Sequence, residues 1–192
     1  CLMELQHINF KLIFNKSLDN NLEPLISIFH GWISEQTSDE LLIDVADYRH
    51  VPNGPGIILI GHEANISLSE NQGSITLCYN RKIAMKGTDE ERFRQALRGA
   101  LVACERIEMD GRLTGKINFE CQEIEMLVND RIFVSNQEKF HQMVDPKFKS
   151  LCKDIFDKND YLISHSEDPR KLFSIRLKTA SPLNKKIILK TL

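Results

Sequence analysis

Asp44, Asp47, His50, His62 and Glu63 crowd into one stretch of the chain, with Tyr48 and Arg49 among them and Arg81 a short way on. Carboxylates and imidazoles exchange protons near neutral pH or ligate metal ions, so chemistry is expected here first. Between the two halves of the stretch runs Pro52-Asn53-Gly54-Pro55-Gly56. Such a run forces a turn, and its glycines can offer backbone N–H groups to an anion.

Spacing limits which of these groups can meet. Only about eight residues separate the extended segments flanking the turn, too few for a parallel crossover, so a direct pairing must be antiparallel. That hairpin places Asp47 near Ile58 and Asp44 near Gly61, and it carries His50 and His62 to opposite ends, roughly 20 Å apart. One metal cannot bind both, and no metal ligand set is assigned. At the loop end, Asp47, Tyr48, Arg49, His50, Asn53, Gly54 and Gly56 are candidate ligand-binding residues, with Arg49 and His50 supplying charge to a small phosphate or carboxylate. The run lacks the Lys-Ser/Thr of a P-loop and the spacing of a dinucleotide fingerprint, and a plain turn explains it equally well. At midsheet, Asp44, His62 and Glu63 are candidate catalytic residues of a metal-assisted or acid/base hydrolase. Arg81, expected beside His62, joins the ligand-binding set. Cross-strand ion pairing on a solvated face is the simpler reading, and a one-residue slip in register would exchange the faces.

The block from Ile43 to Gly56, continued in Leu59-Ile60-Gly61-His62-Glu63, resembles a family of uncharacterised bacterial proteins. The likeness runs on through Tyr79-Asn80-Arg81-Lys82 and the arginine-rich helix after it. This resemblance implies no reaction, ligand or cofactor.

The elements that must position these groups follow from periodicity. Ile8, Phe10, Leu12 and Phe14 alternate as in a half-buried strand. Leu22, Leu25, Ile26, Phe29, Trp32 and Ile33 then fall on one helical stripe, with Asn21 as N-cap and Pro24 in the first turn. A strand from Leu41 to Asp47 follows. Strand, helix, strand in that order predicts a parallel pair. Ile57-Ile58-Leu59-Ile60 lacks alternation and reads as a central strand covered on both faces. It is expected to run on toward Leu68 and turn at Glu70-Asn71-Gln72-Gly73 into Ile75, Leu77 and Tyr79. Thr88-Asp89-Glu90-Glu91 is a capping box opening a helix with Phe93, Leu97, Ala100, Leu101 and Cys104 inward. Arg92, Arg94, Arg98 and Arg106 on that helix read as a solvated, salt-bridged face, with Glu90 and Arg94 paired. His30 reads as a satisfied structural histidine.

Strands are expected at Lys116 to Cys121, Glu123 to Val128 and Arg131 to Val134, the last two joined at Asn129-Asp130. A helix from Asn136 to Phe156 is expected to break at Pro146, and strands Tyr161 to Ser164 and Leu172 to Leu177 close the pattern. The fold class is α+β: a mixed, mainly antiparallel sheet packed with about three helices. One domain over residues 1–180 with a loose tail at 181–192 is the reading, and two α/β lobes divided near Gly111 to Gly115 are the alternative.

Composition narrows the function classes. At 192 residues with 42% hydrophobic and 27% charged, the chain can bury a core, which sets aside disordered and fibrous classes. A net charge of −2 gives no electrostatic footprint for nucleic acid. The apolar runs are too short to span a bilayer, and residues 1–6 lack the form of a signal peptide. The cysteines, at 1, 78, 104, 121 and 152, contain no C-x-x-C pair and read as reduced, buried small hydrophobes, so the cytoplasm is expected. Three functions stand side by side: a small anionic ligand bound at Arg49 to Gly56, the hydrolase above, and a structural protein forming a homodimer through sheet edges. The cofactor is left open.

Overall fold

The alternation of Ile8, Phe10, Leu12 and Phe14 with Asn9, Lys11 and Ile13 decides where this protein keeps its core. In the computed structural model, which describes residues 4–14, 22–36, 38–71, 73–113, 119–130, 136–156, 160–168 and 170–192, that segment is strand β1 (Ile8–Phe14). Helix α1 (Glu23–Glu35) follows, then strands β2 (Leu42–Tyr48), β3 (Gly56–Gly61), β4 (Ala64–Asn71) and β5 (Ser74–Arg81). Helix α2 (Asp89–Met109), strand β6 (Glu123–Val128), helix α3 (Glu138–Ile155), strands β7 (Tyr161–His165) and β8 (Phe173–Thr179), and helix α4 (Lys185–Thr191) complete the order.

The eight strands among the described residues join one antiparallel sheet in the order β2-β3-β4-β5-β1-β6-β8-β7. β1 pairs with β5 on one side and β6 on the other, so the first strand joins the two halves of the chain at the middle of a continuous sheet. The expected parallel pair of β1 and β2 is corrected: the two run in the same sense but lie four places apart.

Direct partners across a sheet share a face, so the registers can be read as rows. Ile66, Tyr79, Phe10, Met126 and Ile175 form one row, and Leu68, Leu77, Leu12, Ile124 and Leu177 the next. This face carries the helices: α2 packs on β1 and β5, α1 on β2 and β3, and α3 and α4 pack against α2. Phe10, Leu12, Leu77, Met126 and Ile175 are fully buried beneath them.

The helices begin and end for local reasons. Thr88 caps α2 as expected: its hydroxyl accepts from Glu91 N–H at 3.2 Å while the Glu91 carboxylate accepts from Thr88 N–H at 2.6 Å. Gly99 is required where α2 crosses β5, because a Cβ there would stand 2.5 Å from Tyr79 Cε2. α3 runs unbroken through Pro146, with Val144, Phe148, Leu151 and Cys152 buried on one stripe. Its packing outweighs the missing hydrogen bond.

Arg92, Arg94 and Arg106 of α2 are salt-bridged as expected, though of the helix's four arginines only Arg98 is exposed. Arg92 is buried and bonds Asp89 at 2.7 Å and Glu4 at 3.0 Å, Arg94 pairs with Asp154 on α3, Arg98 donates to Leu189 O at 3.1 Å, and Arg106 lies 4.2 Å over the Trp32 ring of α1. Each ties α2 to a different segment, a long-range use that helical periodicity cannot register. Residues 181–192, expected as a loose tail, hold α4 in place through buried Ile188 and through Lys185, which bonds Glu108 at 2.6 Å and Phe119 O at 2.8 Å. His30 is exposed. The expected N-cap at Asn21 and the strand at Arg131 to Val134 lie outside the described residues, as does the first half of that at Lys116 to Cys121, whose described half, 119–121, is not strand. No helix among the described residues is long and apolar enough to cross a membrane.

Candidate functional site

The proline-glycine run does turn β2 back on β3 as an antiparallel hairpin, with Tyr48 opposite Gly56 and Asp47 opposite Ile57. Gly56 has φ +73°, and a Cβ there would lie 2.1 Å from Leu68 O, so close approach of β4 demands glycine. The turn is tightened by Val51 N–H to Tyr48 O at 3.0 Å and Gly54 N–H to Val51 O at 2.9 Å. β3 is second from the sheet edge rather than central. Ile57 and Leu59 are buried under the helices, and Ile58 and Ile60 turn to the opposite face.

Seven of the expected ligand-binding residues come together. Asp47, Tyr48, Arg49, His50, Asn53, Gly54 and Gly56 line a cavity of about 580 Å³ with Ser69, Glu70 and Asn71. Its electrostatics differ from the expectation. Arg49 donates through Nε to Asp47 Oδ1 at 2.9 Å and through Nη2 to Asp47 Oδ2 at 2.6 Å, while Nη1 stands 2.7 Å from Glu23 Oε2 at the start of α1. Hydrogen bonds from Arg49 hold the Asp47 carboxyl well down, at about 2. Two carboxylates thus already surround the one guanidinium, and Gly54 N–H is committed inside the turn.

The midsheet candidates separate. β3 does not continue to Leu68: it ends at Gly61, and β4 folds straight back with Asn65 opposite Ile60. Glu40, ahead of β2, clamps this bend by accepting from Glu63 N–H at 2.9 Å and Ala64 N–H at 2.5 Å. A carboxylate reaching in from another segment leaves no local turn signature, which is why the hairpin is invisible in the sequence. Arg81 falls opposite Ala64, not His62, and ion-pairs with Glu63 at 2.9 Å. Asp44 is exposed and accepts from Val45 N–H at 2.8 Å, and His62 is exposed at the bend. Among the described residues Asp44, His62 and Glu63 form no ligand set.

The face opposite the helices supplies what the sequence reading missed. Asn65, Asn80, Asn9, Leu127 and Ser174 form one row across it, and Ser67, Cys78, Lys11, Glu125, Arg176 and Ser164 the next. The Asn53-Gly54-Pro55 segment walls one side of this face and Leu172 the other, leaving a trough of about 620 Å³. Trough and loop cavity share Asn53, Gly54, Ser69 and Asn71. Glu125 lies between Lys11 at 3.8 Å and Arg176 at 3.5 Å, so the charged row is internally paired. Burial pushes the Cys78 thiol up to about 11, partly opposed by Lys11, and keeps it protonated.

The asparagine row is not satisfied in this way. Asn9 is only 6% exposed, yet its Oδ1 has no hydrogen-bond partner, and neither has Asn65 Oδ1. Both oxygens are acceptors and both residues line the trough, so the site asks for a ligand that brings donors. None of the residues in the two rows is aromatic, which gives a base or a sugar ring no platform for stacking. The alternation of Asn9 and Lys11 with Phe10 and Leu12 was visible in the sequence, but only the pairing of β1 with β5 sets Asn9 beside Asn80. No known family model, curated protein or solved structure matches the chain.

Proposed function

We propose that this protein binds a small uncharged molecule rich in O–H or N–H donors, a polyol or an amide, in the trough beside the Arg49 to Gly56 loop. The unpartnered, buried Oδ1 of Asn9 carries this reading. An orphaned buried acceptor costs about 1–3 kcal/mol, and valine at a strand position would avoid that penalty. A ligand donor turns the penalty into binding energy. The paired state of Lys11, Glu125 and Arg176 disfavours a strongly charged ligand, which would have to break those pairs.

Saturation-transfer NMR against a panel of polyols, monosaccharides and amides, on the wild type and on Asn9→Val, tests this. Saturable binding that disappears in the variant is expected, with the variant unfolding at the same or a higher temperature. Binding absent from the wild type, or unchanged in the variant, would end the reading.

A second reading keeps a small anion at the loop, because the fold does gather those seven residues around one cavity. With Arg49 held by Asp47 and Glu23, the anion would have to displace a carboxylate. Calorimetry with phosphate and simple carboxylates, repeated on Arg49→Ala, decides it: an affinity indifferent to that change rejects the loop.

A further inference from the structure

On the helix side of the sheet, at its far edge, α3 and β7 bring two imidazoles and a carboxylate together. His141 and Asp145 are four residues apart on α3 and so project from the same side of it. His165 ends β7 on the row of Ile175, facing α3. One ligand atom from each of His141, Asp145 and His165 lies within 4.8 Å of those of the other two.

We propose that His141, Asp145 and His165 form a site for a divalent first-row transition-metal ion, with a coordination position left open to the adjoining cavity. Four observations carry it. Two imidazoles and one carboxylate are a mixed nitrogen–oxygen set suited to zinc or ferrous-type ions, and three protein ligands leave room for water or substrate. His165 Nε2 and Asp145 Oδ1 are 2.8 Å apart, closer than the roughly 3.3 Å between ligands of a tetrahedral ion with bonds near 2.0 Å. An ion there would replace the shared proton. The Nδ1 atom of His141 is buried with no partner, so an Asp145–His165 hydrogen bond alone does not account for the group. The cavity at the site, about 440 Å³, is also lined by Glu138 and Glu167, whose charges favour a cation.

The arrangement is held in place before any ion arrives. The His141 ring packs 4.6 Å from Phe173 and meets His165 edge-on at 4.4 Å. Buried Asn136 donates to Asp168 O and Leu172 O, both at 2.9 Å, and accepts from Ser174 N–H at 3.2 Å. It thereby pins the segment between β7 and β8 to the start of α3. Lys149 stands 3.9 Å from Asp145 Oδ2, the oxygen not bonded to His165.

The site shares no ligand with the asparagine row, so either can fail without the other. Titration of chelator-treated protein with Zn²⁺ by calorimetry, and with Co²⁺ by visible absorption, tests it directly. One ion per chain is expected, with the absorption bands of a nitrogen–oxygen coordinated Co²⁺. Asp145→Asn, which keeps the shape of the side chain, and His165→Ala should each weaken binding at least tenfold, while His62→Ala should leave it unchanged. Circular dichroism on each variant guards against unfolding as the cause. No uptake by the wild type, uptake that survives both ligand variants, or loss in His62→Ala would overturn the proposal.

Discussion

Two buried polar residues in different regions of the molecule, Asp89 at the start of α2 and Asn9 on the open face of the sheet, are treated in opposite ways. At the start of α2, Asp89 is buried and fully engaged: it accepts from Leu5 N–H at 2.8 Å and Arg92 Nη1 at 2.7 Å, and pairs with Lys147. On the open face, Asn9 is at least as buried, and its Oδ1 bonds to nothing in the protein. A folded chain minimises orphaned polar atoms because each competes with a stability of only about 5–15 kcal/mol. The exceptions are Asn9 and Asn65 on the open face, and Glu105 and His141 on the helix side. Burial alone does not distinguish Asp89 from Asn9; the presence of partners does.

Substitutions can sharpen or break that contrast. The largest effect is expected from Phe10→Ala, at the centre of the helix-covered face, which should destabilise by about 3–5 kcal/mol in chemical denaturation. Asp89→Ala should lose on the order of 3 kcal/mol, since buried Arg92 would keep only the exposed Glu4 carboxylate and the buried Leu5 N–H would lose its acceptor. If Asp89→Ala proved as mild as a surface change, the distinction between engaged and orphaned groups would fail. Gly99→Ala should follow at about 1–3 kcal/mol, because the new methyl overlaps the Tyr79 ring. Asn9→Val should have the opposite sign, gaining on the order of 1 kcal/mol in urea melts without ligand. A loss instead would mark Asn9 as structural.

The smallest expected effect is electrostatic and concerns the loop. An unfolded aspartate protonates near 4, whereas Arg49 keeps folded Asp47 ionised down to about 2. Its contribution to stability is thus complete above pH 4 and fades as pH falls through about 2. Carboxyl-carbon NMR should place the Asp47 midpoint near 2 in the wild type and near 4 in Arg49→Ala. Equal midpoints would mean that the ion pair does not persist in solution.

Much of the secondary structure was legible because it depends on neighbours in sequence. The period of two in Ile8 to Phe14, the capping box at Thr88, and the turn that folds β2 onto β3 all express local backbone and side-chain preferences, and each stands in the structure. So does the division of β1, β4 and β5 into an apolar and a polar face. Tertiary structure decided the rest, since contacts between distant segments carry no local signature. Glu40 makes the bend at His62 and so removes the midsheet cluster. The arginines of α2 reach outward to α1, α3 and α4. β1 enters between β5 and β6, which creates the asparagine row, and the packing of α3 beside β7 is what brings His165 to His141 and Asp145. Alternation tells which residues share a face of one strand, but only strand order tells which of them become neighbours, because register and order are settled by burying the whole apolar face at once.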